Sequence, residues 1–238
     1  GTVTYTALLT PSAGIRCDVT IIRTHTDRFL LMTGGSTGSY DLSWIKSQRD
    51  RSSSFEINDI SDELACVGLW GPNSRNILAS ITAGDVSNEV FPYLAAREIT
   101  VDQIKVLAVR ISYVGELGWE LYCPAEYGSL FWDVVWEAGQ KYGAIAAGTT
   151  AQDSLRLEKG YRLWGSDIHT EYNPLQAGLG FAVDMEKTDF IGSEALANAR
   201  SAGVKKLLRC MTLDDPSRMV MGKEPIRLDG EVAGYVTS

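Results

Sequence analysis

The run Leu117-Gly-Trp-Glu-Leu-Tyr-Cys123 alternates without a break. Successive side chains of a strand point to opposite faces. Trp119 and Leu121 therefore share one face, and Gly118, Glu120 and Tyr122 share the other. The indole and leucine need a core, whereas the glutamate needs water or a ligand that satisfies it. Such a segment fits a sheet covered on one side and confines the fold to architectures that contain one.

Much of the chain has the same texture. β-Branched and alternating residues predict strands over 2–9, 14–24, 29–33, 55–60, 64–70, 104–112, 117–123, 206–213 and 225–236. The turn Thr26-Asp-Arg28 makes a hairpin of the second and third. Helical spacing predicts a helix over 41–48 and another opened by Gly71-Pro72 and running through Leu78, with Pro where its missing N–H costs nothing. A longer one covers 126–141, with Leu130, Phe131, Val134, Val135 and Ala138 on its apolar face. A short helix starts at Thr150 with Asp153 and stops at Gly160, and a last one runs from a Ser193 cap to near Gly203. The fold class is α+β with largely antiparallel sheets and packed helices. The 238 residues allow one large domain or two interlocked subdomains, about 1–125 and 126–238. The chain begins and ends inside strand-like runs, so it reads as a fragment of a longer polypeptide.

The net charge of −8 argues against nucleic acid as a partner, because phosphate contacts rely on clustered Lys and Arg. No apolar run approaches the roughly 18 residues of a membrane span, and the opening residues lack the pattern of a signal peptide. The four cysteines are scattered with no CxxC pair, which fits a reducing compartment and neither a disulfide framework nor a zinc site. With two histidines in all, no metal centre is expected. Gly34-Gly-Ser-Thr-Gly38 lacks the Lys-Ser/Thr of a phosphate loop. On local sequence alone Asp18 reads as an edge-strand carboxylate facing water, and Glu120 as a solvent-facing residue of a hairpin or a ligand-binding carboxylate.

Two segments, Arg110-Ile-Ser-Tyr-Val-Gly-Glu-Leu-Gly-Trp-Glu120 and Asp153-Ser-Leu-Arg-Leu-Glu-Lys-Gly-Tyr-Arg-Leu-Trp-Gly-Ser-Asp167-Ile, resemble the signature of the glycine-cleavage T-protein (aminomethyltransferase) family. That family transfers one-carbon units to tetrahydrofolate. Within it, Lys159 to Ile168 is most similar to the folate-binding C-terminal half of dimethylglycine and sarcosine dehydrogenases. The resemblance implies a T-protein-like folate-binding fold, here without its N-terminal start and C-terminal barrel. It implies tetrahydrofolate as cofactor, with FAD only on a separate domain outside this chain. The partners it implies are a small-molecule substrate and the FAD oxidoreductase domain of the same polypeptide, in a bacterial cytoplasm or mitochondrial matrix.

The resemblance also assigns residues. Ala13-Gly-Ile-Arg-Cys-Asp18 is similar to a Gly-Gly-Ile-x-Asp-Asp stretch whose second Asp is catalytic, which makes Asp18 the catalytic carboxylate, with Cys17 replacing the first Asp. Glu120 takes the place of the pterin-binding glutamate, and Tyr113 that of the aromatic that stacks on folate. Gln152 stands where T-proteins carry a substrate- or folate-binding Arg, and Gly34 where they carry Asn. Those departures argue against the strict glycine-cleavage role. The implied activity is capture of the one-carbon unit of an oxidised N-methylglycine as 5,10-methylene-tetrahydrofolate. The alternatives are a stand-alone folate-dependent aminomethyl- or methyltransferase and a non-catalytic folate-binding module. Arg156, Glu158 and Arg162 are expected to be surface ion-pair partners of Asp153 or Asp167, and the loop Asn173 to Gly180 to shape a cavity.

Overall fold

The computed structural model describes residues 1–50, 52 and 54–238. In chain order the elements are β1 (Thr2–Leu9), β2 (Ile15–Arg23), β3 (Phe29–Met32), α1 (Gly38–Ser47), β4 (Leu64–Trp70), α2 (Ser74–Ile81), β5 (Ala96–Val101), β6 (Ile104–Val109), β7 (Gly118–Pro124), α3 (Gly128–Gln140), α4 (Thr149–Glu158), α5 (Ser193–Ala202), β8 (Pro225–Leu228) and β9 (Glu231–Tyr235). Strands form sheets of order β1-β2-β3, β4-β7-β6-β5 and β8-β9. The chain divides into two compact units, Gly1–Thr4 with Thr20–Leu155, and Tyr5–Val19 with Arg156–Ser238.

The first unit is built on the four-stranded sheet, whose pairings are all antiparallel. The alternation of Leu117 to Cys123 resolves as the sequence requires: Trp119, Leu121 and Cys123 are fully buried. Together with Val67 and Leu69 of β4 they pack on Ile77 and Leu78 of α2 and on Phe131 and Val135 of α3. Each such apolar side chain contributes roughly 1.5–3 kcal/mol on full burial. Trp119 also meets the Phe91 ring edge-on, with centroids 5.9 Å apart. A smaller cluster unites Val3, Ile22, Ala96 and Val109, with Leu30, Met32, Leu107 and Tyr122 packed around it.

The second unit centres on Leu9, Ala13, Ile15, Ile168, Leu179 and Leu196. Two glycines there are fixed by crowding: a Cβ on Gly14 would lie 1.9 Å from the Thr170 carbonyl oxygen, and one on Gly192 2.5 Å from that of Thr10. Gly192 also has φ of +85°, a conformation open to glycine at little cost.

Several expected elements differ. Residues 55–60 alternate but form no strand; Phe55 is exposed, and Asp59 Oδ1 accepts from both the N–H and the hydroxyl of Ser61, turning the chain before β4. Residues 206–213 form no strand either, and Leu207, Met211 and Leu213 are exposed. β5 has an unmarked sequence and gains its conformation from pairing with β6. Pro72 lies in the turn before α2, whose cap position is Asn73. Leu130 of α3 is exposed, and the buried stripe is Phe131, Val135 and Gly139, with Val134 and Ala138 at its flank. Thr150 falls inside α4. Ser193 is the first residue of α5, and its hydroxyl donates back to the Thr188 carbonyl at 2.8 Å. Among the described residues no helix is long and apolar enough to cross a membrane, and no group of three His, Cys, Asp or Glu could hold a metal ion.

Candidate active site

β7 is an inner strand of its sheet, and register places Glu120 between Gly68 on β4 and Val109 on β6. The solvent-facing hairpin reading of Glu120 therefore fails: it is half-buried beside the cluster of Val109 and Leu107. Tyr122, two residues along on the same face, donates its hydroxyl to Glu120 Oε2 at 2.5 Å. Burial pushes the Glu120 carboxyl above its ordinary range, and the Tyr122 hydrogen bond only partly opposes that. Burial and the adjacent Glu120 charge likewise push the Tyr122 phenol up. Cys66 sits directly across from Tyr122. It keeps solvent contact, yet the crowding around its sulfur, followed by the Glu120 charge, pushes its thiol up to about 12. At neutral pH it is a thiol and no nucleophile.

The glycines of this face do not leave open space. A Cβ on Gly68 or on Gly118 would strike the Trp70 ring, at 2.3 Å and 2.6 Å respectively. Trp70 fills the room that both vacate and anchors its indole N–H on the Ile111 carbonyl at 3.2 Å. Gly115 meets a different need, with φ of +79° in the loop that leads into β7. Tyr113 lies half-buried on that same loop. Gly34 is exposed, and its carbonyl accepts from the Thr37 N–H at 3.0 Å in the turn that opens α1. Gln152 is half-buried on α4.

In the second unit, Asp18 belongs to β2, the middle strand of its sheet, which overturns the edge-strand reading. It is half-buried between Cys17 and Val19, which are buried. Its Oδ2 accepts from the Tyr5 hydroxyl at 2.9 Å, and the Tyr5 ring stacks on Phe181 with centroids 6.1 Å apart.

The ion pair expected at the surface is instead buried. Arg156 Nη1 meets Asp167 Oδ2 at 2.7 Å, with both side chains almost fully enclosed. Asp167 also accepts from the Leu163 N–H at 2.9 Å, from the Ser238 hydroxyl at 2.5 Å and from the Thr237 hydroxyl. Burial acts to raise its pKa, but the Ser238, Thr237 and Leu163 hydrogen bonds and the Arg156 charge outweigh it, so the carboxyl stays below its ordinary value. Arg162 donates to the carbonyls of Ala177, Gly160 and Gly178, fixing the loop that follows Asn173.

The sequence marks Tyr122 only as a face-mate of Glu120 and gives no sign of Cys66, Trp70 and Tyr5 as neighbours of the two carboxylates. Tyr122 was detectable, being at i+2 from Glu120 on one strand face. The other three owe their places to pairing and packing that no local pattern encodes.

The half-buried Glu120 carboxylate on an inner antiparallel strand is an acceptor suited to N–H donors. The chain belongs to the GCVT N-terminal domain family, which it matches over residues 1–187. It is 39% identical to human mitochondrial dimethylglycine dehydrogenase over 233 residues, 97% of this chain and 27% of that protein. It is 36% identical to human mitochondrial sarcosine dehydrogenase over 251 residues, 99% of this chain and again 27% of the relative. An aminomethyltransferase of Symbiobacterium thermophilum is 34% identical over 242 residues, covering 100% of this chain and 64% of the relative. The chain thus spans about a quarter of the two dehydrogenases. Among solved structures, the glycine cleavage system aminomethyltransferase T of Bartonella henselae superposes with a TM-score of 0.72 at 29% identity, over 85% of this chain and 54% of that one. The fold is that of the glycine-cleavage T-protein.

Proposed function

We propose that this chain is a tetrahydrofolate-binding one-carbon transfer domain, which takes the methylene or aminomethyl unit released from an oxidised N-methylglycine such as dimethylglycine or sarcosine. The observation that carries the reading is Glu120: an underprovided carboxylate, half-buried on the signature strand of a family member. The dehydrogenase relatives support the substrate class, and Gln152 and Gly34, where glycine-cleavage proteins carry Arg and Asn, favour it over the glycine-cleavage role. In this reading an FAD-bearing domain of the same polypeptide supplies the oxidised substrate in the mitochondrial matrix or bacterial cytoplasm.

The residues present fit the folate. Tyr122 occupies one acceptor position of the Glu120 carboxylate, and a carboxylate offers about four, so two parallel N–H donors of an amino-pyrimidine edge can still be received. Those donors would favour the charged form that burial disfavours. The resemblance would add Tyr113 as a stacking aromatic and Gly34 and Gln152 as further contacts to the same ligand.

Tetrahydrofolate, when bound, supplies the N5 nucleophile. Glu120 orients the ring and so turns a bimolecular encounter into an oriented one. Asp18, held by Tyr5, is the carboxylate to which the resemblance gives the catalytic part, and it would stabilise positive charge and take up a proton. The test is a paired measurement on Glu120→Ala and Asp18→Asn. The first variant loses folate affinity in calorimetry. The second keeps affinity within a few-fold and forms 5,10-methylene-tetrahydrofolate at least about tenfold more slowly, roughly 1.4 kcal/mol of barrier. Wild-type affinity in the first removes Glu120 from the site, and wild-type turnover in the second removes Asp18.

A further inference from the structure

We propose that Tyr122 is a positioning residue that locks the Glu120 carboxylate in the orientation used for ligand binding. The inference rests on the folate-binding reading of Glu120 for its consequence, but its geometry stands alone. A glutamate has three rotatable side-chain bonds, and a ligand that must order them loses affinity. Here the ordering is already done: Tyr122 Oη lies 2.5 Å from Glu120 Oε2. The phenol ring is in turn packed against the buried cluster of Val3, Ile22, Ala96 and Val109.

One hydroxyl has one proton, and Tyr122 gives it to the carboxylate, so its own oxygen is left to accept. Cys66, its direct cross-strand partner on β4, is a neutral thiol pushed up by its surroundings and by the Glu120 charge. Gly68 and Val109, the flanking residues on β4 and β6, bring no polar group of their own to Glu120. Among the described residues, the titratable groups that bear on it are Tyr122 on its own strand and Cys66 on β4. The cluster that Tyr122 packs against, Val3, Ile22, Ala96 and Val109, is apolar, and so is Leu107, its register partner on β6.

The experiment is Tyr122→Phe, which deletes one oxygen and keeps the packed ring. The first readout is the carbon-13 shift of the Glu120 carboxyl, titrated by NMR in the ligand-free protein. Loss of the donated hydrogen bond should move its midpoint upward by at least half a pH unit. The second readout is calorimetry with tetrahydrofolate. Tyr122→Phe should bind three- to tenfold more weakly, and its affinity should fall away at a higher pH than that of the wild type as the solution is acidified. A purely structural role for Tyr122 would lower affinity without moving either pH midpoint, and that result overturns the proposal. So does an unchanged Glu120 titration. Glu120→Gln separates the two readings: wild-type affinity there defeats the folate assignment, whereas weakened binding there beside an unshifted Tyr122→Phe titration defeats only the positioning role.

Discussion

Glu120 and Asp167 are two carboxylates withdrawn from water on one chain, and their environments drive them in opposite directions. Asp167 is met by a guanidinium, a backbone N–H and two hydroxyls, and its carboxyl is held below the usual range although burial works against it. Glu120 is met by one phenol, and burial wins. Burial alone therefore does not mark a binding site. The mark is a buried charge supplied with fewer donors than it can use, in a fold that has other places where it supplies donors in full.

The largest expected effect falls on the satisfied site. Arg156→Ala leaves Asp167 enclosed without its cation and should destabilise the second unit by about 3–5 kcal/mol, read from the midpoint of urea unfolding. Retained stability would show that Asp167 does not depend on its partner and would blur the contrast. Next comes Glu120→Ala, which should weaken tetrahydrofolate binding at least about tenfold, roughly 1.4 kcal/mol, with little loss of stability, because the group removed is one the fold disfavours in its charged form. Asp18→Asn follows, with turnover slowed about tenfold and affinity kept, as measured by single-turnover product formation.

The smallest effects are in pH dependence, and they carry opposite signs. Because the folded-state value of Asp167 is lowered, its contribution is present above the unfolded value of about 3.9 and is lost as pH falls through the folded value. Asp167→Asn should therefore flatten the acid limb of the stability curve. The folded-state value of Glu120 is raised, so its charge begins to weaken the fold as pH rises past about 4.3 and does so fully only above the folded value. Glu120→Gln should lift stability above that window and leave it unchanged below. Two curves that bend the same way would erase the distinction between the sites.

The sequence was most legible where one physical rule acted alone. Alternation over 117–123 fixed the strand and both of its faces, and the hairpin at Thr26-Asp-Arg28 followed from turn chemistry. It was least legible where the outcome depended on a partner. Residues 55–60 alternate as well as β3 does, yet no neighbouring strand pairs with them and a side-chain turn at Asp59 diverts the chain. Leu130 meets the helical pattern of its neighbours but lies on the far edge of the stripe that the sheet covers. Asp18 looked like an edge residue because strand order within a sheet is not a local property. Of the expected surface pairs, Arg156–Asp167 forms but is buried, and Arg162 turns to backbone carbonyls instead, since burial depends on the packing of segments far apart in sequence.

The central claim is that Glu120 is held short of donors so that a folate ring can supply them. Anaerobic calorimetry of tetrahydrofolate into the wild-type protein and Glu120→Ala at neutral pH tests it most directly. The account predicts a dissociation constant at least about tenfold higher in the variant, with its unfolding midpoint kept. Equal constants in two folded proteins would contradict it.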